Sequence, residues 1–323
     1  MQDHGGNLDV AVARFGGRAE DWIDLSTGIN RRAYPIGELT ERHFAALPSR
    51  KEIAALHDAA RQAYATSAPV LALAGVQTAI QLLPRISHPG RARILGPTYN
   101  EYAPVLSAAG WQTEEVGDLD ALAGADLAVV VNPNNPDGRH HDAIALLALR
   151  LLVNRLVIDE SFADAVPDLS LASEAGREGL LILRSFGKFY GLAGLRLGFV
   201  LAPQADVATL AAMAGPWPVS GPAIAVGRRA LLDRDWASAT RMRLARDSLR
   251  LDALACAAGW TTVGGTPLFR LYDVGDANAA QEGLARAKIW SRIFERHPGW
   301  LRLGLPSNES EWTRLAEVLV GRI

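Results

Sequence analysis

Between residues 70 and 201 the chain repeats one pattern, a short run of Val, Leu, Ile and Ala followed by a polar motif and often by residues at helical spacing. The runs lie at 70–74, 92–95, 127–132, 155–159, 180–184 and 197–201, with helix-like stretches such as 78–86 and 143–152 between several of them. Runs with no polar alternation suit strands buried on both faces. Their order implies an α/β fold in which helices sandwich a mostly parallel central sheet. Ligands of such sheets bind in the loops beyond the carboxyl ends of the strands. The polar motifs fall there: Gly75-Val76-Gln77-Thr78, Gly96-Pro97-Thr98-Tyr99, residues 132–138, Asp159-Glu160 and Ser185-Phe186-Gly187-Lys188. Five strands delivering polar chemistry to one edge define a candidate site.

A chain of 323 residues is long enough for two lobes. The stretch Pro216-Trp217-Pro218-Val219-Ser220-Gly221-Pro222 marks the exit from the sheet domain. A long Arg-rich helix at about 235–258, candidate strands near 268–272 and 300–303, and a last helix from about Ser310 describe a smaller α+β lobe. The expected division is a large domain at 41–234 and a small one made of 1–40 and 235–323, with the first 40 residues irregular. A net charge of −2 gives no electrostatic case for nucleic acid or an anionic membrane as partner. Cys256 is the only cysteine, so no intrachain disulfide and no cysteine-based metal cluster is possible, and no metal site is expected. No apolar run approaches the roughly 18–20 residues of a membrane span. The first residues lack the pattern of a secretory signal. The expected location is the cytoplasm.

Lys188 has a hydroxyl three residues before it, Ser185, and a guanidinium eight after it, Arg196 in Gly194-Leu195-Arg196-Leu197-Gly198. A nucleophilic amine is thereby bracketed by two groups that hold anions. Alone, such a lysine reads as a solvated turn residue. With Asp159, Asn135, Tyr99 and the Gly75-Val76-Gln77 helix start, the constellation resembles the fold-type I pyridoxal-phosphate enzymes, the aspartate aminotransferase superfamily, over most of the chain. The resemblance implies pyridoxal 5'-phosphate as cofactor and a catalytic set of Lys188, Asp159 and Tyr99. Lys188 would bond the cofactor aldehyde and then move the proton at the substrate Cα. Asp159 would pair with the ring nitrogen, Tyr99 would stack on the ring, and Asn135 would bond its phenolic oxygen. Gly75, Val76, Gln77, Ser185 and Arg196 would cradle the phosphate at a helix start.

Within the superfamily the chain is similar to the histidinol-phosphate aminotransferases and to the threonine-phosphate decarboxylases of cobalamin biosynthesis. Three features favour the decarboxylases: His4-Gly5-Gly6-Asn7, Asp24-Leu25-Ser26-Thr27-Gly28-Ile29-Asn30, and Phe162 where aminotransferases carry a tyrosine. The resemblance implies decarboxylation of L-threonine O-3-phosphate. The implied substrate contacts are His4, Gly28, Asn30, Arg292 and Arg302, with Arg302 on the α-carboxylate. It further implies a homodimer acting on a small phosphorylated amino acid. Asp137 replaces the family's usual threonine, Leu47-Pro48 replaces a Tyr-Pro, and Arg31-Arg32 replaces a proline turn. The alternatives are an aminotransferase with the same cofactor residues and a binding protein without turnover. A dinucleotide-binding fold is disfavoured because no Gly-x-Gly-x-x-Gly turn follows the first sheet strand.

Overall fold

Leu127-Ala128-Val129-Val130-Val131 is buried along its whole length, the mark of a strand with neighbours on both edges and helices on both faces. A computed structural model describes residues 5–321. They divide into two compact units. One comprises Tyr34–Asn135 and Arg139–Ser238, the other the chain up to Ala33, Pro136–Gly138 and the chain from Ala239 on.

The first unit is built on a seven-stranded sheet in the order Val70–Leu73, Gly198–Leu201, Leu180–Ser185, Arg155–Asp159, Leu127–Val131, Arg91–Leu95, Gln112–Val116. Only Gly198–Leu201 runs against the rest. This is the mostly parallel sheet between helices that the apolar runs implied, and all six expected strands form. The seventh, Gln112–Val116, escaped the pattern because it is an edge strand. Its sequence Gln-Thr-Glu-Glu-Val is nowhere fully buried, and charge on an edge discourages further pairing. One sheet face packs Leu71, Leu73, Ile94, Val129, Val157, Leu181 and Val200 against Val76, Ile80, Tyr102, Leu106 and Leu210 of the covering helices. Asp159 and Ser185 continue the residue parity of Val157 and Leu181, so the strand alternation carries both side chains to this face.

At the opposite sheet edge, helix Arg50–Ala63 covers Val70–Leu73. Ser49 starts it with a capping box, accepting from the Glu52 amide while Glu52 accepts from the Ser49 amide. From this helix, His57 Nε2 accepts the Ala72 amide at 3.2 Å, satisfying a strand-edge donor that a ladder would otherwise need.

In the second unit Arg292–Phe294, His297–Gly304, Phe269–Asp273 and Thr261–Thr266 form an antiparallel four-stranded sheet in that order. Ile23–Asp24 pairs parallel with Ile289–Trp290. The expectation that the first 40 residues are irregular fails for residues 8–15 and 23–24. Leu8–Phe15 is a helix, and its Phe15 ring meets Trp22 and Trp290, each at 6.4 Å between centroids. The helix is short, but Leu8, Ala11, Val12 and Phe15 recur at helical spacing and pack with Trp22, Ala285 and Trp290. No helix among the described residues is long and apolar enough to cross a membrane.

His57 makes the fold sensitive to acid. Burial, then neighbouring Arg61, hold its imidazole down at about 4 against Asp58, from an ordinary 6.5. The folded pKa lies below the unfolded one, so the unfolded chain takes the proton first. Stability is complete above about pH 6.5 and falls as the pH drops toward 4, by at most about 3 kcal/mol from this group. Urea unfolding at pH 7 and pH 5 of the parent and His57→Gln checks this, and the variant should lose less stability between the two pH values.

Candidate active site

Where the Arg155–Asp159 strand ends, Asp159 is 3% exposed. Its Oδ2 accepts the Tyr102 hydroxyl at 2.7 Å, and its Oδ1 accepts the Ser161 amide at 2.9 Å and hydroxyl at 2.5 Å. Burial raises its pKa, while the Ser161 and Tyr102 hydrogen bonds and the Lys188 charge oppose the rise. A buried carboxylate held by neutral donors gains most from a cationic partner.

The adjacent strand Leu180–Ser185 runs into the one-turn helix Phe186–Phe189, which carries Lys188. Lys188 Nζ lies 5.8 Å from the centre of the Phe162 ring. The helix is anchored by its aromatic neighbours, with Phe186 stacked on Tyr190 at 4.4 Å and Tyr190 stacked on Trp236 at 5.5 Å. The chain has three lysines. Lys51 is exposed in a helix's first turn. Lys288 donates to the Phe15 and Gly16 carbonyls at 2.6 and 2.7 Å. Lys188 lines a cavity at the strand ends.

That cavity, about 170 Å³ in volume, is lined by Gly75, Val76, Gln77, Tyr99, Asn135, Asp159, Ser185, Lys188 and Arg196. These are the residues the family resemblance assigned to the cofactor, brought together from five strand ends. Gly75 adopts φ 87° at the start of helix Val76–Leu82. A Cβ there would lie 2.9 Å from Arg196 Nη2, and one on Gly198 would lie 2.6 Å from the Val76 nitrogen. The two glycines let Arg196 and the helix start close on one point. Arg196 itself has φ 54° and donates to the Ala193 carbonyl at 3.1 Å. The Tyr99 hydroxyl donates to Gln77 Oε1 at 3.3 Å, and its pKa is pushed up to about 12 by burial, then by Glu101 and Asp159. Tyr99 is therefore neutral at physiological pH and offers a ring face and a hydroxyl rather than a base. Its loop is pinned by Thr98, which donates to Asn134 Oδ1 at 2.6 Å.

Among the substrate residues, Gly28, Asn30, Arg292 and Arg302 belong to the other unit, and His4 lies outside the described residues. Arg292 and Arg302 face each other in register on neighbouring strands. Like charges directly opposite repel. Burial, then Arg292, push the Arg302 guanidinium below the ordinary arginine value, against the pull of Asp24. Arg302 Nη2 donates to the Ser26 carbonyl at 2.8 Å. Asn30 Oδ1 accepts the Arg32 amide at 3.0 Å and Arg243 Nη2 at 2.8 Å. Two opposed guanidinium groups suit an anionic ligand, which would relieve their repulsion.

Sequence reasoning missed Tyr102 and Ser161, which hold Asp159. Tyr102 reads as a core aromatic. Ser161 gives no periodic signal, although its place two residues after a strand-end aspartate is the spacing of an Asx turn.

The family model described as "Aminotransferase class I and II" matches residues 43–319, and the chain belongs to that family. A threonine-phosphate decarboxylase of Sinorhizobium sp. is 44% identical over 324 residues, covering 98% of this chain and 97% of its own length. One of Pseudomonas aeruginosa is 42% identical over 329 residues, covering 99% and 98%. Among solved structures, the histidinol-phosphate aminotransferase of Sinorhizobium meliloti in complex with pyridoxal-5'-phosphate superposes with a TM-score of 0.85 at 19% identity. It covers 97% of this chain and 93% of that one, a likeness of fold.

Gly75→Ala is expected to destabilise the protein by about 1–3 kcal/mol, because the alanine would be held at positive φ against Arg196. Chemical denaturation measures it, and an unchanged midpoint would contradict the packing described.

Proposed function

We propose that this chain is a pyridoxal 5'-phosphate-dependent carboxy-lyase that converts L-threonine O-3-phosphate to (R)-1-aminopropan-2-ol O-2-phosphate in cobalamin biosynthesis. The observation that carries the reading is 42–44% identity, over nearly the whole chain, to proteins named for that activity. The cavity suits the cofactor in kind. An amine stands beside a buried carboxylate, and the Gly75 turn, Ser185 and Arg196 offer anion-holding groups whose space a Cβ at Gly75 would invade. When bound, pyridoxal phosphate supplies a protonated ring that takes up the electron pair left at Cα as CO₂ departs.

In this reading Asp159, hydrogen-bonded by Tyr102 and Ser161, pairs with the ring nitrogen and holds the proton there. Ser185, Arg196 and the amides of Val76 and Gln77 hold the cofactor phosphate. Asn135 donates to the cofactor's phenolic oxygen, and the Tyr99 ring covers one face and excludes water. Lys188 holds the cofactor and later delivers the proton that replaces the lost carboxylate at Cα. Arg302 binds the substrate carboxylate, and Arg292, with His4, Gly28 and Asn30, binds its phosphate. Anchoring the remote phosphate orients the bond to be broken, so binding energy away from the reacting centre lowers the barrier there. A homodimer in the cytoplasm belongs to the same proposal, on the strength of the family resemblance.

Given O-phospho-L-threonine and no keto acid, the cofactor-loaded protein is expected to release CO₂ continuously with aminopropanol phosphate as product. Amino-group transfer that requires 2-oxoglutarate, without CO₂, would assign it to the aminotransferases instead. Lys188→Ala should reduce turnover to background in the same assay. Arg292→Ala should raise KM for phosphothreonine about tenfold to a hundredfold. An unchanged KM would remove Arg292 from the phosphate site.

A further inference from the structure

Directly behind the cavity wall lie three charged side chains that the reaction leaves without a role. Glu160, Arg184 and Asp164 are 0%, 3% and 3% exposed. Arg184 Nη1 donates to Glu160 Oε2 at 2.6 Å, and Nη2 donates to Asp164 Oδ1 at 2.5 Å. Glu160 also accepts the Ser170 hydroxyl at 2.5 Å and the Leu171 amide at 2.6 Å. The Arg184 guanidinium lies 4.4 Å from the centre of the Tyr64 ring. Replacing such a buried ionic group by packed apolar side chains is often neutral or stabilising. Stability alone is therefore a poor reason for three charges here.

Their position supplies a better one. Asp159 and Leu183 are paired across neighbouring parallel strands, and the Glu160 amide donates to the Leu183 carbonyl at 2.9 Å. Arg184 then reaches back to both ends of segment 160–164. Between those two fastenings sit Ser161 and Phe162, which line the cavity, and Ser161 makes two hydrogen bonds to Asp159. The next residue after Arg184 is Ser185, also in the cavity wall.

We propose that Glu160, Arg184 and Asp164 are positioning residues: a buried ionic staple that holds Ser161, and through it the Asp159 carboxylate, at a fixed spacing from Ser185. This rests on reading the cavity as the cofactor pocket. The staple is a matter of geometry, so it is testable with and without the cofactor. At metal sites, partners that orient a ligand from behind are worth about tenfold to a hundredfold in affinity or activity, and an effect of that order is expected here.

Two variants test it. Glu160→Gln keeps the shape and the Asp164 arm, and Glu160→Leu/Asp164→Leu/Arg184→Met replaces the charges with apolar volume. In cofactor-free protein, hydrogen exchange at the Ser161 and Ala163 amides should quicken at least about tenfold in each folded variant, while the midpoint of global unfolding in the triple variant stays near the parent's. The Kd for pyridoxal phosphate, followed by its absorbance on binding, should rise about tenfold or more in both. Parent-like exchange at these amides would overturn the staple. Faster exchange with parent-like cofactor affinity would overturn its role in positioning. Should the triple variant not fold, Glu160→Gln decides alone. Failure of the parent itself to bind pyridoxal phosphate would sink the proposed function, and the exchange rates alone would then decide for or against the staple.

Discussion

The arrangement depends on one buried carboxylate, Asp159, set in the wall of the cavity. Burial works against ionisation of Asp159, and the protein answers with three hydrogen bonds from Tyr102 and Ser161 and with the nearby Lys188 charge. Neutral donors lower the cost of the charge without cancelling it. What remains is a site with a standing preference for a cation. In the proposed function, a pyridine nitrogen brought there would be stabilised in its protonated form, which would make the ring useful as an electron sink.

The sheet makes that chemistry possible through parity. Along Arg155–Asp159 and Leu180–Ser185, the residues in step with Val157 and Leu181 end in Asp159 and Ser185, which enter the cavity. Arg184, out of step, turns to the other face with Glu160 and Asp164. A shift of register by one residue would exchange the two sets and bury the wrong charges. Strand alternation thus separates the side chains that line the cavity from the ionic group on the other face.

Much of this was legible in the sequence, for identifiable reasons. Strands buried on both faces announce themselves as unbroken apolar runs, and parallel sheets gather their loops at one edge, which located the site; the nine cofactor candidates within it were named from the family resemblance. Gln112–Val116 could not be read, because an edge strand's polar residues carry no such run. Leu8–Phe15 was missed although Leu8, Ala11, Val12 and Phe15 stand at helical spacing, because the segment is only two turns long. The facing of Arg292 and Arg302 is a property of strand register, which the nine residues between them do not specify. Tyr102 and Ser161 act through another side chain, and their contribution appears only once the distances to Asp159 are known.

The central claim is that Lys188, of the chain's three lysines, is the one that bonds the cofactor beside Asp159. Borohydride reduction of the protein with pyridoxal phosphate, followed by peptide mass mapping, tests it directly. The account predicts a stoichiometric pyridoxyl label on the peptide carrying Lys188 and none on Lys51 or Lys288. A label on either of those in preference to Lys188, or no label, would contradict it.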